Sequence, residues 1–102
     1  MFFHTLTVNE YAKAVNSSGI VKHEVMYTMR NYIKTFFGCE ECATHFAQAT
    51  SDMESELVYP NSSVLFLWRI HNQVNHRLQG QSSEDPNFPK IQFPPRQLCE
   101  KC

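Results

Sequence analysis

Several kinds of feature are scarce in this sequence of 102 residues. Its charges nearly cancel, with 9 Lys and Arg against 10 Asp and Glu, so it lacks the basic balance typical of nucleic-acid-binding proteins. Its longest apolar run, residues 64–68, is far too short to cross a bilayer. No segment alternates apolar and polar residues over more than a few positions, which argues against β-strands. No cysteine is left unpaired, because the four cysteines form two C-x-x-C pairs.

The periodicity that is present is helical. Apolar residues recur at helical spacing and predict four helices. The first includes the residues before Phe3 and ends at the break at residues 16–19, the second covers 25–37, the third runs from 39 toward 53, and the fourth covers 64–78. We expect Gly38 to stop the second helix and Gly80 to close the fourth, because glycine favours helix C-termini. Ser62 or Ser63 is expected to cap the fourth helix at its N-terminus.

The composition changes at Gln81, where a proline-punctuated arm begins. Four of the five prolines fall in this segment: Pro86, Pro89, Pro94 and Pro95. They predict a mostly extended arm that lies over the helices. The fold class is therefore all-α, a small helical bundle with a proline-rich C-terminal arm, and residues 1–102 are expected to form a single domain. Because Phe2 lies inside a predicted helix with no capping residue before it, we expect the sequence to be a segment of a longer chain that lacks the start of this helix.

One face of the fourth helix combines aromatic and polar side chains. The spacing i, i+3, i+4 and i+7 brings together Trp68, His71, Asn72 and Asn75. If this face is buried, each unsatisfied polar group costs about 1–3 kcal/mol. A planar ligand rich in heteroatoms would supply both stacking and hydrogen bonds. The alternative is that the polar side chains simply face water at the edge of the helix.

Cys39 and Cys42 stand at the predicted start of the third helix. Residues at i and i+3 there are close enough for a disulfide, and a helix N-terminus stabilises a thiolate. His45 and Phe46 follow one turn later, and His45 shares the face of Cys42. Because a loop of four residues restricts the unfolded chain little, a purely structural staple is the weaker interpretation. The pattern favours a redox-active disulfide.

Two rival sites use the same cysteines. A zinc ion could bind both C-x-x-C pairs, or cysteines with His71 or His76. However, 56 residues separate Cys42 from Cys99, whereas ribbon-type zinc sites have roughly 15–20. A thioredoxin-like domain needs strands, and none is predicted. A redox disulfide in a helical domain also needs an electron acceptor, which must be a cofactor or a second protein.

Three stretches strongly resemble the flavin-binding Erv/ALR domain of quiescin sulfhydryl oxidases. They are FFGCEECATHF at residues 36–46, FLWRIHNQVNHRL at residues 66–78, and SEDPNFPKIQFPPRQLCEKC at residues 83–102. FFHTLTV at residues 2–8 is similar to that family's first helix. The resemblance implies a bundle of four helices with a short fifth segment that holds FAD. It also implies an enzyme that oxidises protein dithiols and passes the electrons to O2, producing H2O2.

The resemblance further implies roles for individual residues. Cys39 and Cys42 would be the redox disulfide, with Cys39 exchanging with incoming thiols and Cys42 forming a charge-transfer pair with the flavin. Phe93 replaces the tryptophan usual in the arm, which keeps the stacking and loses the indole donor. Cys99 and Cys102 match the family's final C-x-x-C. The other FAD contacts would be His4, Glu41, His45, Trp68, His71, Asn72, Val74, Asn75 and Lys90.

The partners implied by the resemblance are reduced protein thiols, usually delivered by a thioredoxin domain of the same polypeptide, and molecular oxygen. Such domains pair through helical faces, as homodimers or with a degenerate copy. The first two helices have more apolar residues than one small bundle needs. We therefore expect an exposed apolar patch that consists of Phe2, Phe3, Met26, Met29, Phe36 and Phe37. The sequons at Asn16 and Asn61 are compatible with the secretory pathway. The alternative function is a non-enzymatic interaction module with structural cysteines.

Overall fold

The computed structural model describes residues 2–102, and no β-strand occurs among them. The helices are α1 (Phe2–Asn16), α2 (Glu24–Phe36), α3 (Glu40–Ala49), α4 (Met53–Glu56) and α5 (Ser62–Leu78). Because α4 is a single turn, the fold consists of four substantial helices and one short segment. The predicted all-α architecture is confirmed. None of these helices is both long enough and apolar enough to span a membrane.

The chain divides into two compact units, and the division falls within α5. In the first unit, which ends at Trp68, α1 packs against α2 and α2 packs against α3. The buried apolar side chains of this unit are Met26, Met53, Leu57, Phe66 and Leu67. The second unit, Arg69–Cys102, contains the C-terminal half of α5 and the arm. That residues 1–102 form a single domain stays a prediction.

The start of α2 is fixed by side chains from elsewhere in the first unit. His23, the N-cap residue, has a left-handed backbone with φ 56° and a buried imidazole. Its Nδ1 lies 2.5 Å from the hydroxyl oxygen of Ser63, which is also buried. The backbone N–H of Val25 donates to Glu10 Oε1 at 3.2 Å, so a carboxylate of α1 satisfies one of the free donors at this helix end. These bonds join α1 and α5 to the beginning of α2.

We expect Ser63→Ala to lower the free energy of unfolding by about 1–3 kcal/mol, because it leaves the buried His23 ring nitrogen without its partner. Urea unfolding followed by circular dichroism measures the loss. Ser55→Ala is the matched control, since the exposed Ser55 hydroxyl donates only to the Asp52 carbonyl at 2.8 Å. Equal losses in the two variants would show that the buried His23–Ser63 hydrogen bond contributes no more to the free energy of unfolding than an exposed local one.

Two predicted helix ends differ from the structure, that of the third helix by about four residues and that of the second by one. The third helix was expected to continue toward Met53, but α3 ends at Ala49. The Thr50 hydroxyl donates to the Phe46 carbonyl at 2.8 Å, and this local bond stabilises the helix end. The second helix ends at Phe36 because the backbone of Phe37 is already extended, before Gly38 is reached.

The predicted serine cap of the last helix is also wrong, whereas its glycine end is confirmed. Ser62 is already the first helical residue, and its hydroxyl accepts the backbone N–H of Tyr59 at 2.9 Å. The hydroxyl of Ser63 is used by His23. Gly80, with φ +73°, follows the C-terminus of α5 in the left-handed conformation that glycine adopts without strain.

Candidate redox and cofactor site

A disulfide joins Cys39 to Cys42 at the beginning of α3, with Cα atoms 5.2 Å apart. Cys39 is the N-cap residue, and its sulfur accepts the backbone N–H of Cys42 at 3.2 Å. Cys39 is exposed and Cys42 is half-buried. An incoming thiolate can therefore reach the Cys39 sulfur more easily than the Cys42 sulfur. The N-terminal end of α3 also favours negative charge on either sulfur once the bond opens.

Glu41 and His45 form a second pair on the same helix. Glu41 Oε1 lies 3.6 Å from His45 Nε2, at i and i+4. Glu41 is exposed and the imidazole is half-buried. The two side chains are thus neighbours on one face of α3. His45 follows Cys42 by one helical turn, so its imidazole stands on the face of α3 that carries Cys42.

The second C-x-x-C pair closes on itself. Cys99 and Cys102 form a disulfide with Cα atoms 5.4 Å apart. It lies in a turn after Pro95, whose carbonyl accepts the backbone N–H groups of Leu98 and Cys99. Over residues 2–102 there is no group of three or more His, Cys, Asp or Glu side chains that could hold a metal ion. Each pair is thus a separate local disulfide, and only Cys39–Cys42 lies at a helix start.

In the second unit, two carboxamides of α5 hold the backbone of the arm. Asn72 Nδ2 donates to the Phe93 carbonyl at 2.8 Å, and Asn72 Oδ1 accepts the Phe93 N–H at 2.9 Å. Asn75 Nδ2 donates to the Ile91 carbonyl at 3.1 Å. The arm itself is a succession of turns and irregular stretches, in place of the mostly extended chain that the prolines predicted. Asn72 and Asn75, both on the predicted face, therefore bind the backbone of the arm.

The arm is also held by Glu84, which the sequence analysis did not single out. Its Oε2 accepts the Gly80 N–H at 2.7 Å, and its Oε1 accepts the Lys90 N–H in a short hydrogen bond. These two N–H groups, together with the Lys90 charge, lower the pKa of the Glu84 carboxyl below its ordinary value. The bonds are thus kept at neutral pH and weaken only in acid, as the pH falls through that lowered pKa. The available signal was an acidic residue four positions after the glycine that closes α5.

A polar cleft lies beside this segment of the arm. Its volume is about 250 Å³, and it is lined by Asn72, His76, Gln79, Lys90, Ile91 and Gln92. Three carboxamides, an imidazole and an ammonium group offer hydrogen-bond donors and one positive charge. This set of donors suits a polar or anionic group of a ligand.

His71 stands on α5 next to Asn72. Partial desolvation lowers the pKa of the His71 imidazole below its ordinary value, and the nearby Lys90 charge lowers it further. Although much of the side chain is exposed, the ring is therefore neutral at physiological pH. A neutral imidazole can both donate and accept a hydrogen bond, which suits a heteroaromatic ligand.

The sequence-predicted site residues lie on three helices and in the arm. His4 is on α1; Cys39, Glu41, Cys42 and His45 are at or on α3; the group from Trp68 to Asn75 is on α5. Trp68 and Val74 are half-buried, while Lys90 and Phe93 are exposed. The structure brings together Cys39 with Cys42, Glu41 with His45, and Asn72 with Phe93. The contacts of these residues with FAD stay predictions.

Comparison with known proteins places these features in a family. The Erv1 / Alr family matches residues 1–94. Sulfhydryl oxidase 1 of Mus musculus is 45% identical over 104 residues, covering 100% of this chain and 14% of its own length. Sulfhydryl oxidase 2 of Homo sapiens is 43% identical over 104 residues, covering 98% of this chain and 15% of its own length. The chain thus spans about a seventh of these relatives.

A solved structure extends the comparison to the fold. The sulfhydryl oxidase fragment of human QSOX1 superposes with a TM-score of 0.79 at 46% sequence identity. The match covers 98% of this chain and 39% of that one. The arrangement of helices described above is therefore shared along almost the whole length of the chain. The chain belongs to the Erv1 / Alr family.

Proposed function

We propose that this chain is the flavin-binding domain of a thiol oxidase, which forms disulfides in protein substrates and passes the electrons through FAD to O2, producing H2O2. The observation that carries the proposal is the Cys39–Cys42 disulfide at the N-terminus of α3, in which Cys39 is an exposed residue and Cys42 is a half-buried one. Membership of the Erv1 / Alr family supports it. The sulfhydryl oxidases to which the chain is similar support it further.

The position of this disulfide supports the following scheme for thiol exchange. A substrate thiolate attacks the exposed sulfur of Cys39, the Cys39–Cys42 bond breaks, and Cys42 leaves as a thiolate. The second substrate thiolate then attacks the substrate sulfur of the mixed disulfide. This step releases the substrate as a disulfide and Cys39 as a thiolate, so two electrons have moved onto the cysteine pair. The N-terminus of α3 stabilises the thiolates formed in both steps.

The residues present fit FAD as the acceptor of these electrons. When bound, FAD supplies a two-electron acceptor that O2 can reoxidise with formation of H2O2. We propose that the cofactor is held by aromatic rings for stacking, by the neutral imidazole of His71, and by the Lys90 ammonium near the polar cleft. The full proposed set of contacts is His4, Glu41, His45, Trp68, His71, Asn72, Val74, Asn75, Lys90 and Phe93.

Oxygen uptake tests the proposed activity. The purified chain, supplied with FAD and dithiothreitol, should consume O2 and release one H2O2 for each dithiol oxidised, because both are two-electron processes. A non-enzymatic interaction module is the alternative function, and it predicts oxygen uptake no faster than that of free FAD with dithiothreitol. We further propose that substrate thiols arrive through a thioredoxin-like domain of the full-length protein, within the secretory pathway. The much greater length of the relatives is consistent with such a domain.

The exposed aromatic residues of the first unit support a proposed helical partner, either a second copy or a degenerate domain of the same chain. Phe2, Phe36 and Phe37 are 70%, 74% and 50% exposed. Met26, expected on the same surface, is instead fully buried in the core, because it lies on the inner face of α2.

We expect the isolated chain to self-associate at tens of micromolar, since these rings otherwise remain in water. Sedimentation equilibrium measures the association. Phe36→Ser should weaken it, whereas Lys34→Ser, an exposed change on the same helix, should not. A wild-type chain that stays monomeric over this range would contradict the proposal.

A further inference from the structure

The first part of the arm forms a loop, residues 80–90, that closes on a single carboxylate. Gly80 begins the loop and Lys90 ends it, and the backbone N–H groups of both donate to the two oxygens of Glu84. Gly80 is the residue whose left-handed backbone turns the chain out of α5. Glu84 therefore fixes both the direction in which the chain leaves the helix and the point at which it returns.

Only a carboxylate on a side chain of this length accepts from both backbone N–H groups, that of Gly80 and that of Lys90. Two N–H donors need two acceptor oxygens, and ionised glutamate has two. Glutamine has one acceptor oxygen, and its NH2 group would face a backbone N–H, donor against donor. Aspartate keeps both oxygens but is one methylene shorter. The loop thus selects glutamate on chemical grounds, and the hydrogen bonds to a charged acceptor are of the stronger kind.

The return point determines the position of the residues that follow it. After Lys90, the Ile91 carbonyl is bound by Asn75 and both backbone groups of Phe93 are bound by Asn72. The segment 90–93 is therefore hydrogen-bonded to the rest of the second unit at three residues, and Glu84 binds the first of them, Lys90. Lys90 lines the polar cleft, and Phe93 is the aromatic residue at the far end of this segment.

We propose that Glu84 is a positioning residue of the cofactor site, which places Lys90 and Phe93 for the flavin nucleotide by binding the backbone of Gly80 and Lys90 with one carboxylate. The proposal rests on the proposed function, because Lys90 and Phe93 matter here as cofactor contacts. Glu84 acts through the backbone and has no assigned contact with the nucleotide. Its effect on FAD is therefore indirect, through the position of the arm.

Glu84→Gln tests the proposal, with Asp85→Asn as the matched control. Asp85 Oδ1 accepts the Asn87 N–H at 2.9 Å, and asparagine keeps that acceptor while losing the same charge from the same loop. The first measurement is amide hydrogen exchange by NMR in the flavin-free chain. The Gly80 and Lys90 amides should exchange faster in Glu84→Gln than in wild type. Their exchange rates should be unchanged in Asp85→Asn. The second is FAD titration by fluorescence quenching, where the dissociation constant should rise about tenfold in Glu84→Gln alone.

The outcomes separate the inference from the proposed function. Faster exchange at Gly80 and Lys90 with an unchanged FAD dissociation constant would overturn the inference, because Glu84 would then be only structural. An equal weakening by Asp85→Asn would also overturn it, since loop charge alone would explain the effect. If the wild-type chain takes up no FAD, the proposed function fails and the inference fails with it. If Glu84→Gln loses its helical circular dichroism, Glu84→Asp replaces it in the test. Its affinity for FAD should be about threefold weaker than that of wild type. An unchanged affinity would overturn the proposal.

Discussion

Replacing Cys42 with serine should lower dithiothreitol oxidation by roughly a thousandfold or more, the scale expected when a covalent redox partner is removed. Serine cannot form the bond to Cys39 that opens and closes in each turnover. The half-buried Cys42 is also the sulfur from which electrons would leave for FAD. The FAD content should stay at the wild-type level, because Cys42 supplies electrons and not binding energy. Oxygen uptake and the visible spectrum of the purified variant measure the two quantities.

Two further cysteine variants serve as controls for this result. Cys39→Ser should also block exchange with substrate, but it leaves Cys42 as a thiolate and should show a long-wavelength absorbance band at alkaline pH. The double variant Cys99→Ser, Cys102→Ser should keep most activity with dithiothreitol, because that disulfide lies in a turn outside any helix start. If the double variant is as inactive as Cys42→Ser, the terminal pair is an obligatory relay and the proposed division of roles is wrong.

Asn72→Ala should weaken FAD binding by about 10- to 100-fold, because it removes both hydrogen bonds that hold the Phe93 backbone. Without them Phe93 loses its attachment to α5. Glu84 and Asn75 still hold Lys90 and Ile91, so the loss falls on Phe93. Gln73→Ala, an exposed neighbour on the same helix, should have no effect.

Amide exchange separates arm docking from any direct contact of Asn72 with the cofactor. In the flavin-free variant, the Phe93 amide should lose its protection, because its acceptor Asn72 Oδ1 is gone. FAD titration by fluorescence quenching then measures the affinity in the same sample. A variant that keeps its FAD affinity while the Phe93 amide is unprotected would contradict a role of the arm in cofactor binding.

Local patterns of the sequence were enough to predict the helices and the disulfide at a helix start. The apolar stripe of α2 and the glycine after α5 depend on neighbours three or four residues apart, and such spacing is visible in the sequence. The small errors at the helix ends have local causes as well. At Thr50 a side-chain hydroxyl bonds to the backbone and stabilises the end of α3, and at Phe37 the backbone turns extended before the glycine.

The partners of the polar residues could not be predicted in the same way. Asn72 and Phe93 are 21 positions apart, and nothing in helical periodicity indicates that a carboxamide will bind the backbone of a proline-rich arm. His23 and Ser63 are 40 positions apart and share a buried hydrogen bond. The role of Glu84 could not be predicted either, because it depends on how the loop closes. Long-range polar contacts follow from the tertiary fold, whereas apolar spacing follows from the helix itself.

The absorbance spectrum of the purified chain tests the central claim most directly. We predict a yellow protein with a protein-bound flavin spectrum and about one FAD per chain, since the proposed site is single. Addition of dithiothreitol without oxygen should bleach the spectrum through Cys39 and Cys42, and the Cys42→Ser variant should remain yellow. A colourless protein that takes up no added FAD and carries one zinc ion per chain would contradict the account.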